Sequence, residues 1–288
     1  MPLVPRMHLF EIDDQTWFPP FLRRLVQTIL LRTWHMQLPF IQPLSPGRMI
    51  AHLLIRELGD DLGNFTFVDF CAGAGGPTPI LEKEINHHLR TRRKPEAPVQ
   101  FVLTDLHPNL PAWEGISKKN PHITYEREPV DASRAPPQLV TRGDGKKLMR
   151  LFNLAFHHFD DPLAKDILRD TVQTSQGFAI FELQGRTIES FIAVSLLPLL
   201  VMVVAPVHAW KHKSLASLIF MWFIPIIPFV LVWDGWISAL RTREPDEVEA
   251  LLRSCGADSS KWEIKSGSQQ HLWPVGYVDW IICQPRDA

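Results

Sequence analysis

The sequence predicts an α/β fold: a doubly wound, mostly parallel sheet into which an apolar helical hairpin is inserted. Three observations carry this expectation. Short apolar runs alternate with helical patterns from residue 46 onward, the signature of strands joined by crossover helices. A glycine cluster, Gly73, Gly75 and Gly76, ends the first run just before a helix. Finally, residues 190–233 carry only two charged side chains, Lys211 and Lys213, whereas the rest of the chain holds roughly the one-in-four charge density of an ordinary soluble domain.

Taken in order, residues 17–36 mix Trp17, Phe21, Leu22, Leu25, Ile29, Leu30 and Trp34 with Arg23, Arg24 and Arg32. This is an amphipathic helix between prolines, packed on the core or lying on a membrane surface. Residues 45–58 read as a second helix. Phe65 to Phe70 is a short buried strand, and Pro77 suits the first turn of the helix after it, where no amide hydrogen is needed. Further strands are predicted at Val99 to Leu103, Ile123 to Val130, Leu148 to Phe156 and Phe178 to Leu183, with a helix over Leu163 to Gln173. Residues 90–97 read as a solvated turn. Pro245 to Ser254 is a helix with acids in its first turn, and Lys261 to Lys265 and Tyr277 to Cys283 are the last strands. The boundaries that follow are an N-terminal cap (1–45), a core (46–187), the apolar hairpin (188–236) and a closing helix with two strands (237–288).

Composition narrows the function classes. Thirty Lys and Arg against 31 Asp and Glu leave a net charge of -1, which excludes a nucleic-acid binder working through bulk positive charge. Cys71, Cys255 and Cys283 are too few for a disulfide framework or a four-thiolate zinc site, so a reducing compartment is expected. The start of the chain lacks the pattern of a secretory signal.

The chemistry is concentrated in Asp69 to Gly76, DFCAGAGG. It sets an acid at a strand end, then glycines that let the backbone turn tightly and approach a ligand. A second acid, Asp105, follows at the next strand end, placed for a ribose diol. A dinucleotide would bring a pyrophosphate and usually a third, spaced glycine, which is missing here. S-adenosylmethionine has no phosphate, and its tail and sulfonium ask for close backbone and nearby acids. A methyltransferase is favoured over a dehydrogenase.

DFCAGAGG resembles motif I of the class I S-adenosylmethionine-dependent methyltransferases, with Cys71 in place of the first glycine of the commonest form. The chain is also similar, nearly end to end, to a poorly characterised subgroup that shares the pattern E-x-x-D-Q-x-W-F-P, here Glu11 to Pro19, and W-D-G-x-x-S-x-L-R-T, here Trp233 to Thr242. The resemblance implies a Rossmann-like, seven-stranded sheet with its last strand antiparallel, and S-adenosylmethionine as cofactor. It implies a cofactor set of Asp69, Cys71, Ala72, Gly73, Gly75, Asp105, Leu106, Asp131, Ala132 and Asn153, with Asp105 at the ribose and Asp131 near the adenine.

Methyl transfer from a sulfonium needs a nucleophile held in line and, where required, a base. His157 and His158 follow the fourth strand at the cofactor edge and are the candidate bases. If both sit on a strand, they face opposite ways and one reaches the substrate. The bland alternative is a structural histidine. No metal is expected, because consecutive residues such as His157, His158, Asp160 and Asp161 rarely converge on one ion. Gln15, Trp17, Glu182 and Asp234 are candidate substrate contacts, with Asp13 beside them in an N-terminal lid, Gln184 and Arg186 after the fifth strand, and Asp234 and Arg241 a possible pair.

The uncharged runs 190–207 and 214–233, separated by His208 to Lys213, are each nearly or fully long enough to cross a hydrocarbon core of ~30 Å as helices. Pro198, Pro225 and Pro228 would kink them, so a re-entrant or shallow hairpin competes with two spans. A hydrophobic lid or an oligomer interface is the soluble alternative. Membrane association with a cytosolic catalytic part, and a lipophilic small-molecule acceptor, are expected. The competing reading is a catalytically silent, membrane-anchored binding or assembly partner.

Overall fold

A computed structural model describes residues 2–92, 97–141, 145–212 and 218–286. Seven strands form one sheet: β1 (Phe65–Phe70), β2 (Phe101–Thr104), β3 (Ile123–Tyr125), β4 (Lys147–Asn153), β5 (Gly177–Glu182), β6 (Trp262–Leu272) and β7 (Gly276–Pro285). Their spatial order is β3-β2-β1-β4-β5-β7-β6. The first five run parallel, and β7 is antiparallel to both β5 and β6.

Residues of β1 are buried throughout, and alternate ones enter different cores. Phe65 and Phe67 join Phe101, Leu103, Met149, Leu151 and Phe181 on one face; Val68 and Phe70 join Val102, Phe152, Phe178 and Ile180 on the other. A strand covered on both faces reads as a continuous apolar run, which is why FTFVDF is legible in the sequence. The helices that cover it are α1 (Pro20–His35), α2 (Pro46–Leu58), α3 (Thr78–Thr91), α4 (Leu110–Ser117), the short α5 (Pro137–Val140), α6 (Asp161–Thr174), α7 (Ile188–His212), α8 (Ile226–Arg241) and α9 (Pro245–Arg253). Side chains set their starts: the Ser45 hydroxyl accepts from the Arg48 amide at α2, Asp160 from Leu163 at α6, and Glu244 with Glu247 forms a capping box at α9.

Several boundaries differ from expectation, each for a physical reason. β3 ends at Tyr125 and not Val130, because Glu126, Arg127 and Glu128 are followed by Pro129, which has no amide to give a ladder. β4 ends at Asn153, because Leu154 takes a left-handed conformation (φ 55°) and Phe156–His158 then form a 3-10 turn. The two histidines therefore lie on a turn, not on a strand. β6 extends to Leu272 through SGSQQ, a polar stretch made strand by its pairing with β7. Of the turn expected at 90–97, residues 93–96 lie outside the described residues.

Two long helices, α7 and α8, follow β5. Among the described residues no helix is long and apolar enough to cross a membrane, which corrects the reading of two transmembrane spans. The second apolar run is broken: Ile219–Phe223 is a π-helical turn, Ile224 is extended, and α8 begins only after Pro225. No turn interrupts α7 at His208, since its backbone stays helical to His212; residues 213–217, with Lys213, lie outside the described residues. One face of α7 packs with α1 and α8 in a third apolar cluster that includes Phe18, Leu22, Val26, Val201, Met221, Ile227 and Val230.

Trp113, on α4, is fully buried and donates from Nε1 to the Gly73 carbonyl at 3.0 Å, so the helix holds the glycine turn. Trp113→Phe keeps most of the apolar burial and loses that bond. Urea denaturation should show a loss of about 1 kcal/mol; unchanged stability would mean that the indole does not support the turn.

Candidate active site

The strand order reverses between β1 and β4, since β2 and β3 lie to one side and β5 to the other. In open α/β sheets ligands bind outside the carboxyl ends of strands at such a switch point. Here it is framed by Phe70, which leads into the glycine turn, and by Asn153. The turn's conformation is unusual: Cys71, Gly73, Gly75 and Gly76 all have positive φ. Gly73 (φ 52°) donates its amide to Asp105 Oδ2 at 2.9 Å, while its carbonyl takes the Trp113 indole. His107 donates to Asp105 Oδ1 at 2.8 Å. Among the described residues, no heavy atom lies within 4 Å of where a Cβ on Gly73 would stand, so the turn is open on that side. At Gly75 (φ 103°) a Cβ would stand 2.3 Å from Ile116 Cδ1.

The two acids have different surroundings. Asp69 is buried and takes bonds from Thr78 Oγ1 (2.5 Å) and Asn153 Nδ2 (2.9 Å). Burial pushes its pKa up to about 7, against the pull of those bonds, and the Asp105 charge adds to the rise. Asn153 Oδ1 is buried and finds no hydrogen-bond partner among the described residues. Asp105 is half-exposed, and its two backbone donors leave lone pairs toward the crevice. Asp131 is exposed and caps its own turn through Ser133; Val130 ties it to the carbonyl of Asp105 at 2.9 Å. Leu106 is exposed beside them, and buried Ala132 gives its carbonyl to Arg150. Cys71 has its thiol pKa raised by burial and by the charges of Asp105, Asp69 and Asp131, which favours the protonated thiol.

Next to this crevice lies a cavity of about 160 Å³, lined by Glu11, Asp13, Leu154, His157, His158, Gln184 and Asp234 at one side and by apolar residues of α1, α7 and α8 at the other. Its polar wall is organised around the 3-10 turn after β4. Glu182, at the end of β5, accepts from the His157 amide (3.2 Å) and lies 2.9 Å from His157 Nδ1; with the Nδ1 proton assigned to that carboxylate, Nε2 carries the lone pair. Gln184 Nε2 donates to the same Glu182 oxygen at 3.1 Å. The rings of His157 and His158 lie 4.2 Å apart, so both face one side, contrary to the strand-based expectation.

His158 belongs to an ion-pair network that ties down the N-terminal segment. Its Nδ1 lies 3.2 Å from Glu11 Oε2 and 3.3 Å from Asp14 Oδ2; Arg241 Nη1 is 3.2 Å from both Glu11 Oε1 and Asp14 Oδ2. Ser238 adds a bond to Glu11 at 2.9 Å. Burial opposes the charge on His158, but the bond to Asp14 and the charges of Glu11, Asp14 and Asp13 outweigh it and raise its pKa to about 9. Asp234 accepts the backbone amides of Ile12 (2.6 Å) and Asp13 (3.0 Å); it does not pair with Arg241 as the sequence suggested. Glu11, His157 and His158 place their donor atoms within 4.8 Å of one another, the spacing of an ion's ligands. Glu11 is already partnered by Ser238, Arg241 and His158, so the group is a charge-compensated network.

A glycine turn after β1, an acid after β2 and a seven-stranded sheet closed by an antiparallel strand occur together here. The fold is that of the class I methyltransferases. No family model matches the sequence, and no curated protein does. Among solved structures the chain is similar to a SAM-dependent methyltransferase from Anabaena variabilis (14% identity, 98% of each chain, TM-score 0.49). It is also similar to human N-acetylserotonin methyltransferase in complex with SAM (12% identity over 84% of this chain and 55% of that one, TM-score 0.40). A third is the magnesium protoporphyrin IX methyltransferase of Synechocystis PCC 6803 with bound SAM (7% identity, 95% and 88%, TM-score 0.43).

In this methyltransferase fold the expected cofactor residues gather around the crevice, with Asp69 and Asn153 engaged in holding it together. His157, His158 and Asp234 line the cavity. Glu182 stands behind His157. Gln15 and Trp17 do not line the cavity: the Gln15 amide turns back to the Glu11 carbonyl at 2.8 Å, and Trp17 is exposed, edge-on to Phe18. Sequence reasoning missed Glu11 and Ser238 as members, and the shared E-x-x-D-Q and W-D-G-x-x-S strings are the signal that held them.

The network makes stability depend on pH. The folded pKa of His158 lies above its ordinary 6.5, so its contribution is complete below that value and is lost as pH rises through about 9. Asp14→Asn should lower Tm at pH 7 and move the alkaline fall in Tm to lower pH, read by thermal unfolding between pH 6 and 10. A fall at the same pH in both proteins would remove His158 from this role.

Proposed function

We propose that this chain is an S-adenosylmethionine-dependent methyltransferase whose acceptor is a lipophilic small molecule held in the apolar cavity, at or near a membrane. One observation carries the reading: the end of β4 and the turn that follows it serve both spaces. Asn153 faces the switch-point crevice through Asp69, and Leu154 and His157, next in the chain, line the cavity. A donor in one and an acceptor in the other would meet across a single turn of backbone.

The residues present fit the cofactor. The open Gly73 backbone would lie along its tail, and Asp105, fixed by the amides of Gly73 and His107, has lone pairs to accept the ribose hydroxyls. Leu106 and Asp131 flank the place for the adenine. Buried Asn153 Oδ1, lacking a partner, suits a donor on the ligand. When bound, S-adenosylmethionine supplies an electrophilic methyl on a sulfonium. The chain's own work is then to orient the acceptor and remove its proton. His157 lines the cavity, and with Nδ1 held by Glu182 its Nε2, 4.0 Å from Glu11 Oε1, is the atom to take a proton from an acceptor hydroxyl or amine. Glu182 fixes the ring and stabilises the imidazolium that forms. His158, charged up to about pH 9, is unsuited to be the base; it holds Glu11 and Asp14 in place. The side chains of Val26, Leu30, Val194, Leu197 and Leu231 make the remaining wall apolar, which favours a lipophilic acceptor.

Calorimetric titration with S-adenosylmethionine tests the first half of this reading. Asp105→Ala should weaken binding about 10- to 100-fold, the worth of charge-assisted hydrogen bonds; affinity unchanged by the substitution would contradict the assignment. For the second half, S-adenosylhomocysteine release should be followed with fractionated lipid extracts as acceptors. His157→Gln should slow release by about 10²-fold or more while cofactor affinity is retained. Cofactor binding with no turnover on any fraction would favour a silent binding protein.

A further inference from the structure

The helices that wall the cavity are apolar on both sides. On α7, Ala193, Val194 and Leu197 face the cavity, yet Ile188, Ile192, Leu196, Leu199 and Val203 are exposed. Their spacing of three or four residues puts these five on one helical stripe, and Leu199 and Val203 are 59% and 71% exposed. On α8, Leu231 and Ser238 face inward, while Phe229 and Trp236 are exposed. Trp222, Phe223 and Ile224 continue the surface at the π-helical turn, with Phe223 76% exposed. A groove of about 590 Å³ between α7, α8 and the N-terminal segment, lined by Leu3, Ile192, Leu196, Trp233 and Trp236, has almost no polar lining. Contiguous apolar surface on this scale marks an interaction site.

Charge identifies the occupant. Phe21 of α1 contacts Phe220 of the π-helical turn, with ring centroids 5.5 Å apart, which joins α1 to the apolar surface. Phe21, Arg24 and Arg32 share one exposed face of that helix, and α1 contains no Asp or Glu. Aromatic and aliphatic side chains beside an acid-free basic helix are the chemistry of an anionic lipid surface. A second copy of the chain would supply the apolar contacts, but its own α1 brings no acid to meet these arginines.

We infer that the outer faces of α1, α7 and α8 dock the protein in the interfacial layer of an anionic bilayer, without crossing it. This rests on the proposed function in giving the docked face a purpose: a lipophilic acceptor would reach the cavity between the helices that touch the lipid. The breaks at Pro225 and in the π-helical turn, and the packing of the inner faces on the core, keep the helices parallel to the surface.

Co-sedimentation of the full chain with phosphatidylcholine vesicles containing 30% phosphatidylglycerol, at about 0.1 M salt, tests this. Binding is expected, with a decrease in 0.5 M salt or on pure phosphatidylcholine. Arg24→Glu with Arg32→Glu should weaken it by at least about fivefold for each arginine, and Leu199→Glu with Phe223→Glu should abolish it. Calorimetric cofactor affinity of each variant serves as the folding control; retained affinity with lost vesicle binding supports lipid docking independently of whether a methyl group is transferred. Absence of vesicle binding by the parent chain, or binding indifferent to both pairs of substitutions, overturns the inference. So does a stable dimer in light scattering, dissolved by Leu199→Glu, in a protein that ignores vesicles. Loss of cofactor binding in the parent chain would instead overturn the proposed function.

Discussion

The site depends on how one residue is held by both of its peptide groups. Gly73 gives its amide to Asp105 and its carbonyl to Trp113, so the bend after β1 is clamped from β2 and from α4 at once. A bend with four of its residues at positive φ, Cys71, Gly73, Gly75 and Gly76, does not hold itself in place; such a conformation is costly for an L side chain, and Cys71 accepts that cost among the glycines. The clamp makes the crevice at the switch point a fixed shape and leaves the remaining lone pairs of the Asp105 carboxylate toward it. Asp69, although the stronger motif residue in the sequence, works behind this arrangement: it is buried, joins α3 to β4 through Thr78 and Asn153, and sets the width of the crevice.

A second constraint operates one strand along. Leu154 ends β4 with a left-handed residue, and the 3-10 turn that follows sets both histidines on the cavity wall, His157 against Glu182 and His158 against Glu11 and Asp14. Glu182 from β5 then selects the proton position on His157. Glu11 and Asp14 of the N-terminal segment are matched by Arg241 and His158, and Asp234 holds the segment by its backbone. The segment is thus part of the cavity wall, and the cavity's polar end is set by residues drawn from opposite ends of the chain.

What was legible in the sequence follows from locality. β1 is legible to the residue because both its faces are buried, and Asp105 is legible as an acid directly after the next strand. His157 and His158 read as the end of a strand and lie on a turn: nothing in NLAFHHF announces that a leucine will take a left-handed conformation. Glu11 and Ser238 are 227 residues apart, and no periodicity links them. The apolar runs were seen, but uncharged sequence alone does not separate a helix surrounded by lipid from one with a core on one side and an exposed face on the other. That distinction came from α1, which packs on the inner faces of α7 and α8.

The central claim is that the clamped bend and Asp105 receive the donor while the His157 cavity receives the acceptor. A crystal structure of the protein with S-adenosylhomocysteine examines it most directly. The account predicts both ribose hydroxyls within hydrogen-bond distance of the Asp105 carboxylate, the tail along the Gly73 backbone, and the sulfur facing the cavity that holds His157 Nε2. A ligand bound elsewhere, or one whose sulfur points away from that cavity, would contradict it.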